Sequence, residues 1–143
     1  MARAPVPTVE QFRALCVRPE AFAGIPDATV AAKLPQWTDK VASYCGKHTR
    51  RVIVDWDGGF ELAIIACVGY DLMTHRGFKK DQGADIAVEN RYKQEIDWCG
   101  QVARGEVEPY VNDGADYDDD AAIGSTSEKS DAWTEYSTKC GCG

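Results

Sequence analysis

The sequence predicts a mainly α fold: a small bundle of about four helices, a short extended excursion or β-hairpin, and an extended C-terminal arm. Three observations predict it. Apolar residues recur at helical spacing in several stretches. One stretch, Phe60–His75, is apolar nearly all round, as a helix covered on every face must be. After Pro109 the periodicity stops and the chain turns acidic and rich in Ser, Thr and Gly. Residues 1–109 therefore form the helical domain with its N-terminal arm, and 110–143 form the acidic C-terminal arm.

The elements follow in order. Two prolines within residues 1–7 make an extended arm. Thr8, with Gln11 three residues on, has the capping-box pattern, and Val9, Phe12 and Cys16 share one face, so a short helix runs from Val9 to Cys16. Val17–Pro26 is a connector whose Phe22 and Ile25 tuck under the core. Asp27 is placed to cap the next helix, along which Val30, Leu34, Trp37, Val41, Tyr44 and His48 fall at helical spacing. Pro35 lacks a backbone donor and crowds the preceding turn, which predicts a kink or a break there. Gly46 weakens the end of that helix.

Val52 and Val54 alternate with Ile53 and Asp55, as in a short strand, and Asp57-Gly58-Gly59 is a turn. The apolar helix Phe60–His75 comes next, with Gly77 suited to its C-terminal cap. Lys79–Gly83 is a polar loop. The last helix spans Ala84–Arg104, with Tyr92, Ile96, Cys99 and Ala103 on one face, widened by Val88, Trp98 and Val102. Its polar face, with Lys93, Glu95, Asp97 and Gln101, is left for a neighbour. Gly100 inside it costs about 1 kcal/mol against alanine and points to close approach of a neighbouring backbone. Gly105 ends it.

The net charge of -7 is unevenly placed. Residues 1–105 hold thirteen acids and fourteen bases, whereas ten acids and two bases follow from Glu106. A nucleic-acid coat is therefore excluded. The basic clusters Lys47–Arg51 and Arg76–Lys80 lack interleaved aromatics, and an acidic partner suits them at least as well as DNA, one being the tail of a neighbouring copy. The longest apolar run, Phe60–Met73, contains Glu61 and Asp71 and is too short and too charged to span a bilayer. The start of the chain has no apolar leader, so synthesis in a reducing cytosol is expected.

Chemistry-bearing residues form no catalytic, cofactor or metal site. Cys16, Cys45, Cys67 and Cys99 fit as small buried apolar residues. Cys140 and Cys142 are a lone C-x-C, too few sulfurs for a tetrahedral site. Asp113, Asp116, Asp118, Asp119 and Asp120 do not match a calcium loop, which needs glycine at its sixth position. His48 and His75 sit where a cation suits a helix C-terminus. Asp55 and Asp57 are explained by turn chemistry, which leaves Glu61 without carboxylate partners. The tail nevertheless keeps Tyr110, Tyr117, Ile123, Trp133 and Tyr136, which fits a segment that becomes ordered against a partner as well as its composition fits a solvated acidic tail.

The order of these features resembles the small neck proteins of tailed phages, the head–tail adaptor or head-completion (connector) proteins, and most of all a Mu-like group of roughly 140 residues. The residues that carry the resemblance are Tyr70-Asp71-Leu72 in the buried helix, and Arg91-Tyr92 and Ala103-Arg104-Gly105 in the closing helix. The resemblance covers about residues 8–109. Pro35 departs from it, since the family's helix is uninterrupted there, as does the longer, more acidic tail. It implies helices packed with a protruding loop or hairpin. It also implies a ring, commonly of twelve copies, beneath the portal protein in the virion neck. Such a ring passes packaged DNA without sequence-specific contacts, docks the next neck or tail protein, and involves no membrane and no catalysis. On that reading the partner contacts are Arg51, Val52, Ile53, Val54 and Trp56 in the excursion and Tyr110, Trp133 and Tyr136 in the arm. Alternatives are another neck component, such as a stopper or tail terminator, or a small metal- or redox-responsive protein using the C-x-C.

Overall fold

A computed structural model describes residues 4–45, 53–79, 81, 83–112 and 114. Its elements are helix α1 (Val9–Leu15), a 3₁₀ turn (Pro19–Phe22), helix α2 (Asp27–Cys45), strand β1 (Asp55–Trp56), helix α3 (Gly58–Arg76), helix α4 (Gly83–Ala103) and strand β2 (Val111–Asn112). The expected helical bundle with an extended excursion is therefore present. Helix α3 lies at its centre, with α1, α2 and α4 all packed on it.

The reason is the sequence of α3. Ala63 to Gly69 are buried without interruption, so no face of this helix meets water. Each large apolar side chain buried there contributes about 1.5–3 kcal/mol. Gly69 lets Phe22 reach the helix: a Cβ at that position would lie 3.3 Å from the Phe22 ring. Phe22 in turn meets Phe12 of α1 edge-on, with centroids 5.4 Å apart. Tyr70 stacks on Tyr92 of α4 at 4.2 Å. The connector is clamped from outside by Arg13, which donates to the Phe22 and Ile25 carbonyls and pairs with Asp27 at 2.9 Å.

Helix ends follow the sequence closely. Thr8 and Gln11 make both bonds of the capping box. At the end of α4, Glu106 N–H donates to Gln101 and Gly105 N–H to Val102, with Gly105 at φ +76°. This is the Schellman arrangement, and its left-handed residue favours glycine.

Several expectations need correction. Of the kink or break expected at Pro35, the break is absent, because α2 is continuous from Asp27 to Cys45. The carbonyl that loses its donor belongs to Ala31, which is exposed and can bond to water. Asp27 is not the cap of α2. The Pro26 carbonyl accepts from Thr29 and Val30, and the Asp27 carboxylate is turned to Arg13. Asp57-Gly58-Gly59 is not a free-standing turn. It opens α3, with Asp57 accepting from Gly59 N–H as N-cap. Gly59 is needed there because a Cβ would come within 3.0 Å of the Trp98 ring. Gly100 faces the Tyr44 hydroxyl and Arg104 side chain rather than a neighbouring backbone. Within the N-terminal arm, Ala4 and Pro7 are buried.

Two acidic residues tie helices together. Asp85, with a side chain only 1% exposed, accepts from Arg76 at 2.7 Å and from Lys79 N–H at 2.8 Å, joining the end of α3, the following loop and the start of α4. The Arg76–Lys80 cluster is thus partly consumed inside the fold. Asp71 on α3 accepts from Trp37 at 3.0 Å and pairs with Lys33 at 3.1 Å, both on α2. Burial pushes the Asp71 carboxyl up, but the bonds from Trp37 and Lys33 outweigh it and hold it below the usual carboxylate value. Glu95 is the opposite case. It is half-buried rather than free on the polar face, and burial pushes its carboxyl up despite the Arg91 partner at 3.3 Å.

Replacing Asp85 with Ala should cost about 3 kcal/mol in denaturant unfolding, because the Lys79 amide and the Arg76 guanidinium lose a buried acceptor. Asp71 and Glu95 should show opposite pH signatures. The contribution of Asp71 is present at neutral pH and lost as pH falls through the ordinary aspartate range and then through its own lower value. Asp71→Asn should therefore lower stability by about 1–2 kcal/mol at pH 7 and progressively less below about pH 4. Glu95 is costly when charged, so Glu95→Gln should hold or raise the thermal midpoint at pH 7, with the difference shrinking as pH falls through the raised value of Glu95 and gone below the ordinary glutamate value of about 4.3. Melting curves across pH check both.

Candidate interaction surface

The excursion and the return from α4 build one end of the molecule. Strands β1 and β2 are antiparallel, with Asp55 opposite Asn112 and Trp56 opposite Val111. Val54 N–H donates to Asn112 at 2.7 Å and Asp57 N–H to Tyr110 at 2.9 Å. Gly105 thus reverses the chain and lays residues 107–112 across the end of the bundle, so the arm begins against the body rather than leaving it at Pro109. Two strands of two residues cannot stand alone. This ribbon is held by the side chains beneath it.

Strict alternation does not hold across the excursion, since Val54 and Asp55 are both exposed between buried Ile53 and partly buried Trp56. Ile53 is buried with Ala42 and Ala4, and Trp56 packs against them. Trp56 also stacks on Phe60 at 4.6 Å, and Phe60 meets Trp98 edge-on at 5.2 Å. Val54 and Tyr110 face out, 60% and 59% exposed. Of the expected partner contacts, then, Ile53 and Trp56 serve the fold, Val54 and Tyr110 offer apolar surface, and Arg51, Val52, Trp133 and Tyr136 lie outside the described residues. The Lys47–Arg51 cluster, His48, Tyr117, Ile123, Cys140, Cys142 and the aspartates at 113, 116 and 118–120 lie outside them too.

Beneath the ribbon is an apolar groove of about 250 Å³, with walls from Cys45 on α2, Ile53, Trp56, Val102 on α4, Val107 and Val111. The composition of the sequence hid it, because Val107 and Val111 sit among acidic and turn residues. The signal present was the period of two: Val107 and Pro109 are partly buried while Glu108 and Tyr110 are exposed, as in an extended segment on a surface. A second apolar groove of about 270 Å³ runs between α2 and α4, lined by Trp37, Val41, Tyr44 and Ile96, with Lys40 over the Trp37 ring at 4.5 Å.

The four described cysteines are unpaired thiols. Burial pushes Cys16 up and Cys67 up to about 12. Cys45 Sγ donates to the Cys99 backbone carbonyl at 3.9 Å. The adjacent Cys45 sulfur and burial push the Cys99 thiol up, whereas the Cys99 thiol beside it holds Cys45 below the ordinary thiol value. Cys45, partly exposed at the groove, is thus the described thiol best placed to react. Among the described residues, no three of His, Cys, Asp and Glu converge as a metal site, and no helix is long and apolar enough to cross a membrane. No protein-family model, curated protein or solved structure matches this chain.

The two faces of the ribbon should separate by mutation. Trp56→Ala should lower unfolding free energy by about 3 kcal/mol through the cavity against Phe60. Val54→Ser and Tyr110→Ser should each change it by less than about 0.5 kcal/mol. Urea titration distinguishes them.

Proposed function

We propose that this protein is a structural adaptor of a tailed-phage neck. It forms a ring below the portal protein, extends the DNA channel and docks the next neck or tail component, acting by binding rather than by catalysis. The observation that carries this reading is the ribbon at one end of the bundle. Among the described residues its strand edges are open, its outward side chains Val54 and Tyr110 are exposed, and the acidic C-terminal segment follows it in sequence. Open strand edges accept another chain by main-chain pairing, and aromatic side chains on a rigid base suit anchoring. The order of motifs described above supports the same reading. So does the charge distribution, since a near-neutral body with acidic extensions does not adhere to DNA passing through it. The helical architecture favours an adaptor over a stopper or tail terminator, which are usually richer in β-structure.

Native mass spectrometry and light scattering, on the protein alone and with the portal protein of the same phage, test this. A ring of many copies is expected in at least one condition, and Val54→Asp with Tyr110→Asp should weaken assembly at least tenfold while leaving the melting temperature unchanged. A monomer that ignores the portal protein at high concentration contradicts it.

A further inference from the structure

The groove beneath the ribbon has no occupant among the described residues, yet its position restricts what can reach it. Val111 is part of its wall, and the chain departs two to three residues later. At Gly114 a Cβ would lie 3.0 Å from Val54, so the departure point is against the ribbon itself. The segment that follows, residues 115–143, has seven acids and two bases, yet also Trp133 and Tyr136 three residues apart. Apolar aromatics in so polar a segment need a surface to cover them. In sequence, the connection between the groove-wall residues Cys45 and Ile53 carries Lys47, Arg50 and Arg51, cations suited to an acidic segment, while Glu108 is the charged side chain in the wall itself. Reach is ample: eighteen residues lie between Gly114 and Trp133, and a chain of that length spans about 25 Å even as a coil. A tether of that length holds the segment near the groove at an effective concentration on the order of millimolar.

We infer that the groove walled by Cys45, Ile53, Trp56, Val102, Val107 and Val111 is the seat of the chain's own C-terminal segment, with Trp133 and Tyr136 as anchors. This goes beyond the adaptor reading and does not depend on it. In the free protein the apolar groove is then covered from within the same molecule.

Cys45 reports on the seat directly, because it is partly exposed on the groove wall. Full-length protein is treated with N-ethylmaleimide, and modification of Cys45 and Cys16 is followed separately by peptide mass spectrometry. The double variant Trp133→Ala, Tyr136→Ala should modify at Cys45 at least fivefold faster than the parent, with the rate at buried Cys16 unchanged. A groove-side change, Val107→Arg, should give the same increase. In the parent protein the Cys45 rate should not vary with protein concentration. Equal Cys45 rates in all three proteins overturn the inference. Protection of Cys45 that appears only as concentration rises also overturns it, in favour of a second copy seated in the groove. Should Cys16 accelerate in a variant, the indole N–H resonance of Trp133 in the parent decides instead. A position and relaxation typical of an ordered side chain support the seat, and those of an unstructured segment overturn it.

Discussion

The structure depends on one constraint: α3 is apolar all round and must be covered on every side. From Ala63 to Gly69 no residue of it meets solvent. A helix of that kind cannot exist alone in water, and its cover sets where everything else goes. Helices α2 and α4 supply two walls, and α1 with the Phe12–Phe22 pair supplies a third. Small residues fix the fit at particular points, Gly69 against Phe22 and Gly59 against Trp98. The polar bonds then select one arrangement. Asp71 holds α2 through Trp37 and Lys33, and Asp85 holds the α3–α4 connection through Arg76 and the Lys79 amide.

The same constraint explains why the ribbon and the groove beneath it lie at one end. The sides of α3 are used up by helices, so only its N-terminal end, near Phe60, is left to be covered by extended chain. The ribbon does this with few residues, since Ile53 and Trp56 face inward while Val54 and Tyr110 face outward. It leaves a groove where the cover is thinner. The ribbon itself is sparsely bonded, with two residues in each strand.

Much of this was legible in the sequence. The period of apolar residues located the helices to within a few positions, and the unbroken apolar run identified the central one. The capping box at Thr8 and the terminating Gly105 formed as their residue types require. What the sequence concealed was non-local. Nothing near Asp85 says that Arg76 will turn back to it, and nothing near Glu95 says that it lies half under its neighbours. Pro35 looked like a break because local propensity opposes it. Packing of Leu34, Thr38 and Val41 on α3 overrides that cost, and the carbonyl left without a donor is on the solvent side. The groove was invisible for the same reason: its walls come from α2, the excursion, α4 and the return strand, and only folding brings them together.

Native-state hydrogen exchange followed residue by residue tests most directly the claim that a buried α3 organises the whole. The amides of Ala63–Val68 should exchange only through global unfolding, with the largest protection in the molecule and a sensitivity to denaturant equal to that of complete unfolding. The amides of Val54 and Asp57 in the ribbon should exchange through local opening, far faster and with little dependence on denaturant. The account is contradicted if α3 exchanges through a partial opening while α2 or α4 stays protected, because the core would then be organised around a different helix.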